Sequence, residues 1–315
     1  MTHAALTYQE PTAKGVVAAR LKTRDGATLA FKTFPARRQQ KGTVLVLHGM
    51  GLNAALYSTL GSMLAAKGLG VALMDFRGHG DSSGKVGDAT GPTTYREDLR
   101  EAVAAFGSDG PLFIFAHSGS AVAAIDLLSQ PDAPKIAGLA MVAPTISGDR
   151  GLTRSPNRGL DIGLMARNML RFRPERGMND AAAEFCPNFN FKKFLLARVT
   201  GLGRWMHVLS FVSTRPGDAP FRYTARAALN MISTWSDTNL AKLQCPVCVI
   251  TAEQDPFVNG EAIATRLPWV LGPQAQLRHE ILLRGDHFTV TLFAVPLFVK
   301  WLCDICRPVK TEHVV

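Results

Sequence analysis

The chain has 315 residues, of which 47% are hydrophobic and 19% are charged. This composition excludes a disordered chain, a collagen-like repeat and a coiled coil, and it provides enough apolar material for one large core. The net charge is +10, and the segment from Asp149 to Arg226 carries most of it, with 14 Lys and Arg against 6 Asp and Glu. Such a segment can contact nucleic acid or an anionic lipid surface, or it can be a solvated face over a core.

Neither end of the chain predicts an export signal or a membrane anchor. The first ten residues lack a basic region followed by an apolar run, so they do not match a signal peptide. The apolar run at 288–299 contains Pro296 and is shorter than the ~18 residues that a membrane-spanning helix needs. These features predict a cytoplasmic protein.

Two pairs of cysteines have the Cys-x-x-Cys spacing of some zinc sites, namely Cys245 with Cys248 and Cys303 with Cys306. The first pair opens an apolar strand, in which positions three apart point to opposite faces. The second pair lies in a helical pattern without the turn of a zinc knuckle. We therefore expect small apolar core residues here, with neither a metal nor an organic cofactor.

The chain begins with β-strands and continues with strands that alternate with helices. Two alternating runs, 16–22 and 27–34, flank the turn sequence Thr23-Arg-Asp-Gly26 and predict a hairpin. Unbroken apolar runs indicate strands buried on both faces, at 43–47, 71–74, 112–115, 136–142, 247–251 and 276–283. Apolar residues three and four apart indicate helices, at 54–67, 94–106, 121–129, 260–267 and 290–306.

This alternation predicts an α/β fold with a mostly parallel central sheet flanked by helices. The alternation of strands and helices stops between residues 145 and 239, where no strand is evident and Pro, Gly and Arg interrupt the sequence. We therefore predict a core of residues 1–144 and 240–315, with residues 145–239 as an inserted, mainly helical cap.

A serine lies at a sharp turn in the stretch Ala116-His-Ser-Gly-Ser120, after an apolar strand and before a helical segment. The spacing small-x-Ser-x-small is typical of a nucleophile elbow, whose strained turn requires small residues two positions before and after the serine. Ala116 and Ser120 stand where glycine is usual, and both are small. The string alone fits an ordinary strand–turn–helix equally well.

A second stretch, Leu45-Val-Leu-His-Gly-Met-Gly51, places a loop after another buried strand. A backbone amide of such a loop can bind a developing oxyanion together with the amide that follows the nucleophile. We assign these two donors to Met50 and Gly119, and we expect His48 to hydrogen-bond within its own loop.

Five strings along the chain together resemble one family. They are Leu47-His-Gly-Met-Gly51, Asp75-Phe-Arg-Gly-His-Gly-Asp-Ser-Ser83, Ala116-His-Ser-Gly-Ser120, Cys245-Pro-Val-Cys-Val-Ile-Thr-Ala-Glu-Gln-Asp255 and Gly285-Asp-His287. Their order and spacing over about residues 40–300 resemble α/β-hydrolases, and within that fold the monoglyceride lipase and lysophospholipase-like family of serine aminopeptidase-type hydrolases. The resemblance implies the α/β-hydrolase fold, in which nucleophile, acid and base follow one another along the chain.

The resemblance also implies the catalytic roles. Ser118 is the expected nucleophile, Asp255 the acid and His287 the base. The weaker candidates are Glu253, Asp149 and Asp286 for the acid, and His79, His117, His207 and His279 for the base.

A serine nucleophile implies acyl transfer, because relatives of this fold that form alkyl-ester intermediates use aspartate at that position. We predict a hydrolase of carboxylic esters, most of all lipid-like esters such as a monoacylglycerol or a lysophospholipid. Two alternatives stay open. The same residues can cleave amides, thioesters or lactones or transfer the acyl group, and a protein of this fold can also bind a ligand with little turnover.

The predicted cap is rich in Met and aromatic residues, which can line an acyl pocket or pack the cap onto the core. The predicted pocket residues are His48, Gly49, His117, Met165, Met169 and Trp205. The other apolar cap residues are Phe172, Met178, Phe185, Phe189, Phe191, Phe194, Met206 and Phe211. Residues 188–198 combine Phe with Lys and are the best local candidate for a weak contact with an anionic membrane surface, with a solvated basic face as the alternative. No nucleic-acid motif accompanies them, so we expect no nucleic-acid partner. The oligomeric state is left open.

Overall fold

The computed structural model describes residues 6–8, 15–38, 40–108, 110–146, 188–211, 221–232 and 236–306. Its strands are β1 (Leu6–Tyr8), β2 (Val17–Lys22), β3 (Thr28–Phe34), β4 (Thr43–Leu47), β5 (Gly70–Asp75), β6 (Leu112–His117), β7 (Gly138–Val142), β8 (Asn188–Phe189), β9 (His207–Phe211), β10 (Phe221–Thr224), β11 (Val247–Ala252) and β12 (Arg278–Leu282). Its α-helices are α1 (Ser58–Ala66), α2 (Thr94–Phe106), α3 (Ser120–Leu128), α4 (Phe191–Thr200), α5 (Ala225–Ala228), α6 (Ser236–Leu240), α7 (Gly260–Val270), α8 (Val290–Phe293) and α9 (Val295–Ile305). Short 3-10 turns occupy Ala54–Tyr57 and Pro273–Ala275.

Nine strands form one large sheet in the order β1-β2-β3-β5-β4-β6-β7-β11-β12. The first strands pair antiparallel as far as the β3–β5 contact, and the six strands from β5 to β12 are parallel. The predicted α/β-hydrolase fold with a mostly parallel sheet is therefore confirmed. Since the carboxyl ends of parallel strands lie at one edge, the loops after β4, β6, β11 and β12 meet there.

The core of the molecule lies around the central strands. Every residue of β5, β6, β7 and β11 is buried, as expected for strands covered on both faces. Helix α9 packs across this sheet, because Gly138 leaves room for the ring of Trp301 and Phe298 meets Phe115 edge-on at 5.4 Å. In the described ranges, no helix is both long and apolar enough to cross a membrane.

A second sheet lies between β7 and β11 in the chain. Strands β8, β9 and β10 pair antiparallel in the order β10-β9-β8. The prediction that residues 145–239 lack strands is therefore wrong for their described part, although α4, α5 and α6 agree with its helical portion. These strands are short, and the pairing of β9 with β10 shifts register at Tyr223 and Thr224, so the sequence contains no long alternating apolar run at these positions. The division into a core and a cap stays a prediction.

Candidate active site

Ser118 lies at the sharp turn between β6 and α3. Its backbone has a φ of 57°, the left-handed conformation that a non-glycine residue adopts only under strain. The Ser118 amide donates to the carbonyl of Val142 at 3.0 Å, which ties the turn to the neighbouring strand. The side chain of Ser120 is fully buried, and its hydroxyl lies 2.8 Å from the carbonyl oxygen of His117 and 3.1 Å from that of Leu47. Ser120 thus fits the elbow and bridges the ends of β6 and β4.

The structure brings Ser118, His287 and Asp255 together. The Nε2 atom of His287 lies 2.8 Å from the Ser118 Oγ atom. The His287 Nδ1 atom lies 2.9 Å from Oδ2 and 3.1 Å from Oδ1 of Asp255, whose side chain is fully buried. Because the carboxylate accepts a hydrogen bond from Nδ1, Nε2 is left as the acceptor for the serine hydroxyl.

Asp255 is held in place by the chain that follows it. Its Oδ1 atom accepts hydrogen bonds from the amides of Phe257 at 2.7 Å and Val258 at 3.0 Å. The ring of Phe257 packs against that of His287, with centroids 4.7 Å apart. The loop after β11 therefore orients the carboxylate and limits the movement of the imidazole that it binds.

The loop after β4, residues 48–51, is here called the oxyanion loop, and it lies directly against the elbow. A Cβ atom on Gly49 would come within 3.1 Å of the Ser118 Cβ atom, and one on Gly119 within 3.0 Å of the Met50 Cγ atom. A side chain at either position would therefore crowd these neighbours. Among the described residues, no protein group accepts a hydrogen bond from the amide of Met50 or Gly119. Two amides beside Ser118 are thus available to an oxyanion.

Tyr57 joins the oxyanion loop to the loop that carries His287. The Tyr57 hydroxyl accepts a hydrogen bond from the Gly49 amide at 3.0 Å and lies 2.5 Å from the Nδ1 atom of His117. His117 in turn donates from Nε2 to the carbonyl of His287 at 2.7 Å. Burial, followed by the proximity of His287, lowers the pKa of His117 to about 3, so this ring is neutral and accepts from Tyr57.

A sequence profile of the serine aminopeptidase family S33 matches residues 38–268. The chain belongs to this family. Together with the fold described above, the match makes the protein an α/β-hydrolase of the S33 family, in agreement with the family resemblance of the sequence.

Solved structures similar to this S33 family member include a soluble variant of monoglyceride lipase from Saccharomyces cerevisiae, in complex with a substrate analogue. It is 14% identical, with a TM-score of 0.66 over 98% of this chain and 97% of that one. A monoacylglycerol lipase of Paleococcus ferrophilus is 20% identical, with a TM-score of 0.55 over 88% and 99% of the two chains. An uncharacterised abhydrolase domain-containing protein of Dictyostelium discoideum is 33% identical over 98 residues, which are 31% of this chain and only 10% of the relative.

His48 and His117 support the loops of this S33 family member. The buried ring of His48 donates from Nδ1 to the Gly49 carbonyl at 2.8 Å and accepts the Phe76 amide on Nε2 at 3.2 Å. The expected hydrogen bond within the loop is therefore present, and burial lowers the pKa of His48 to about 4. Both nitrogens of both rings are engaged in hydrogen bonds that support these loops, and a place for His48 and His117 in the lining of a substrate pocket stays a prediction.

Of the remaining pocket candidates, one lies at the elbow, one is exposed, and the others lie outside the described residues. Gly49 touches the elbow, as described above, while Trp205 has 69% of its surface exposed in the turn after α4. Six predicted positions lie outside the described residues, namely Asp149, Met165, Met169, Phe172, Met178 and Phe185, and so does the side chain of Phe191.

The other candidate acids and bases do not take part in the hydrogen bonds that join Asp255, His287 and Ser118. Asp286 accepts the amides of Phe288 and Thr289 and thereby caps the turn after β12. The weaker candidates elsewhere are the exposed Glu253, the buried His79, the exposed His207 on β9 and the half-buried His279 on β12.

The cysteine pairs show no sign of a metal centre in the described ranges. Burial raises the pKa of Cys245 to about 11 and that of Cys248 to about 12, so both are thiols packed in the core. Cys303 is half-buried and Cys306 is exposed near the end of α9. Over the described part of the chain, no group of three or more His, Cys, Asp or Glu is arranged around a common point.

Proposed function

We propose that this protein is a serine hydrolase that cleaves carboxylic esters through an acyl-enzyme on Ser118. Asp255 is the acid, His287 the base, and the amides of Met50 and Gly119 form the oxyanion hole. The observation that carries the proposal is the continuous hydrogen-bonded series from Asp255 through His287 to Ser118, with bond lengths of 2.9 and 2.8 Å.

The mechanism follows from these positions. As the Ser118 Oγ atom attacks the acyl carbon, His287 Nε2 takes its proton, and Asp255 stabilises the imidazolium that forms. The negative charge moves to the carbonyl oxygen, where the amides of Met50 and Gly119 donate to it. The imidazolium then gives its proton to the leaving alcohol. Water, activated by His287, repeats these steps to release the acid and restore Ser118.

We place lipid-like esters, such as a monoacylglycerol or a lysophospholipid, as the substrate class. The support is the similarity of this fold to two proteins named as monoglyceride or monoacylglycerol lipases. The description of the S33 family as serine aminopeptidases makes amides the principal competing class. The predicted pocket residues in the cap would determine whether the enzyme prefers esters or amides.

We also propose that one exposed face meets an anionic lipid surface. The α4 surface consists of the apolar residues Phe189, Leu196, Val199, Leu202 and Trp205 and the basic residues Lys192, Lys193, Arg198 and Arg204. All five apolar side chains are large and exposed, and residues 188–206 contain no acidic residue. Exposed apolar groups interspersed with basic residues suit the boundary between lipid headgroups and acyl chains.

Replacement of the nucleophile tests the proposal. Ser118→Ala is expected to abolish turnover of p-nitrophenyl esters, while the melting temperature and circular dichroism remain those of a folded protein. Ser58→Ala, on the first turn of α1, is the matched control and is expected to keep full activity. Retention of most activity in Ser118→Ala rejects this nucleophile.

A substrate panel separates the competing reactions. Monoacylglycerols and lysophospholipids of several chain lengths are compared with thioesters, lactones and aminoacyl p-nitroanilides. Preference for the long-chain esters supports the proposed substrate class, and preference for the anilides moves the assignment to amide cleavage. A protein that binds these compounds and turns over none of them is a binding protein.

A further inference from the structure

A buried tyrosine of the second sheet contacts the oxyanion loop. Tyr223, on β10, is fully buried, and its hydroxyl accepts a hydrogen bond from the Gly51 amide at 2.8 Å. The same hydroxyl lies 2.5 Å from the Nε2 atom of His79. Because His79 donates from Nδ1 to the carbonyl of Arg77 at 3.0 Å, its Nε2 atom is the acceptor and Tyr223 is the donor.

The direction of these bonds holds at neutral pH. Burial, and then the proximity of His48, lowers the pKa of His79 to about 3, so its ring is neutral. Burial raises the pKa of Tyr223 above its ordinary value, so its hydroxyl keeps its proton. The series from Gly51 through Tyr223 and His79 to Arg77 therefore consists of neutral groups whose donors and acceptors are all matched.

The second sheet also covers Gly51 directly. Gly51 has a φ of 72°, and a Cβ atom there would come within 2.8 Å of the ring of Phe211 on β9. Phe211 and Tyr223 meet edge-on with centroids 5.7 Å apart. Gly51 is thus enclosed by two aromatic residues from strands that sequence analysis did not predict.

Thr224 and Arg226, which follow Tyr223 in the chain, hold it in position through contacts with the loop after β5. The Thr224 amide donates to the Gly87 carbonyl at 2.9 Å. The Asp88 carboxylate accepts from the Thr224 hydroxyl at 2.6 Å and from Arg226 Nε at 2.7 Å. Strand β10 is therefore anchored to the loop after β5, the same loop that carries His79.

The Gly51 amide belongs to the peptide group that follows the Cα atom of Met50, so its hydrogen bond restricts the backbone ψ of Met50. On the other side of Met50, Tyr57 binds the Gly49 amide at 3.0 Å. The Met50 amide is therefore held between two neighbouring amides, each bound by a tyrosine hydroxyl.

We infer that Tyr223 is a positioning residue that holds the oxyanion loop in its active geometry, so that the second sheet controls turnover at Ser118. This inference rests on the proposed function, because its kinetic effect requires Met50 to act as an oxyanion donor. A donor held in place before the reaction stabilises the transition state more than a donor that must first be ordered.

The test compares two tyrosines that are both fully buried. Tyr223→Phe removes the hydroxyl that binds Gly51, whereas Tyr95→Phe removes a hydroxyl that has no hydrogen-bond partner in the described part of the chain. For a short p-nitrophenyl ester, kcat of Tyr223→Phe is expected to fall about tenfold and KM to stay within about twofold, since the contact acts on the transition state. Both parameters of Tyr95→Phe are expected to stay within about twofold of the wild type.

Amide hydrogen exchange of residues 48–52 provides a readout that does not depend on turnover. Faster exchange is expected in Tyr223→Phe and unchanged exchange in Tyr95→Phe, because only the first variant releases the Gly51 amide.

The outcomes separate this inference from the proposed function. An active wild type with unchanged kcat or unchanged exchange in Tyr223→Phe overturns the inference and leaves the proposed function intact. Equal losses in both tyrosine variants also overturn it, because a general effect on the core then explains them. A wild type without esterase activity contradicts the proposed function, and the exchange result alone then supports or overturns the role of Tyr223.

Discussion

The backbone of Ser118 is unfavourable for an L-residue by about 1–2 kcal/mol and therefore needs support from its neighbours. One support is the amide bond to Val142, and another is the hydroxyl of Ser120 between the carbonyls of His117 and Leu47. Ser120 stands where the usual elbow has glycine, so this chain gains a hydrogen bond at a position that ordinarily provides only space.

Loss of that hydroxyl should weaken the elbow. Ser120→Ala removes a buried hydrogen-bond donor, so we expect the free energy of unfolding to fall by about 1 kcal/mol. Urea denaturation followed by circular dichroism measures this change. A variant as stable as the wild type would show that the hydroxyl contributes nothing to the turn.

The Asp255 carboxylate should matter far more for rate than for folding. Asp255→Asn is expected to lower kcat by about 10³- to 10⁴-fold, because an amide neither stabilises the imidazolium nor keeps His287 in the reactive tautomer. Steady-state kinetics on a p-nitrophenyl ester measure the effect. Asp286→Asn is the matched control, since Asp286 caps the following turn and is expected to keep activity within about tenfold. Similar losses in the two variants would contradict the assignment of the acid.

Residues next to short sequence motifs were predictable, and residues that act from a distance were not. Ser118 and Met50 follow buried strands in recognisable strings, so the sequence indicated them directly. Tyr57 and Tyr223 contact the oxyanion loop from positions 8 and 172 residues away. Neither lies in a pattern that distinguishes it from other core tyrosines, and only the packing of the chain brings them to the loop.

Among the elements, the parallel strands could be read from the sequence because long apolar runs are typical of buried strands. The second sheet could not, because its strands of two, five and four residues are too short to form a recognisable apolar pattern. Gly87 packs so closely against the backbone of Arg222 that no side chain fits there. Burial raises the pKa of Asp88, but the hydrogen bonds from Arg226 and Thr224 outweigh this effect and lower the pKa to about 2. The Asp88 carboxylate that anchors β10 is therefore ionised.

Helix α4 and its neighbours give a prediction for lipid binding. The charge-reversed variant Lys192→Glu with Lys193→Glu is expected to bind phosphatidylglycerol vesicles about tenfold or more weakly than the wild type, since each basic residue near an anionic surface contributes about 1 kcal/mol. Vesicle co-sedimentation measures the binding, with phosphatidylcholine vesicles as the neutral reference. The control is Lys67→Glu with Lys135→Glu, two exposed lysines away from the α4 surface with the same change in charge. Equal weakening in both variants would indicate nonspecific attraction.

For the whole molecule, three buried histidines predict how stability changes with pH. Burial lowers the pKa of His48 to about 4 and those of His79 and His117 to about 3, all below the ordinary value of 6.5. The unfolded chain therefore binds more protons than the folded one below pH 6.5. Stability should fall as the pH decreases from 6.5 towards 4, with a slope near pH 5 of about 4 kcal/mol per pH unit from these three groups.

Urea denaturation at a series of pH values checks this slope. The buried histidines connect the oxyanion loop to the loops after β5 and β6, so their protonation should unfold the catalytic edge of the sheet together with the core. A free energy of unfolding that is constant between pH 6.5 and 4.5 would contradict the neutral, buried state of these rings.

The central claim is that Asp255, His287 and Ser118 together make one serine hydroxyl reactive. Covalent labelling with a fluorophosphonate, followed by mass mapping of peptides, tests it most directly. We expect a single adduct on the peptide that contains Ser118, formed in step with the loss of esterase activity and absent in His287→Gln. An adduct at another residue, or full activity in protein whose Ser118 is completely labelled, would contradict it.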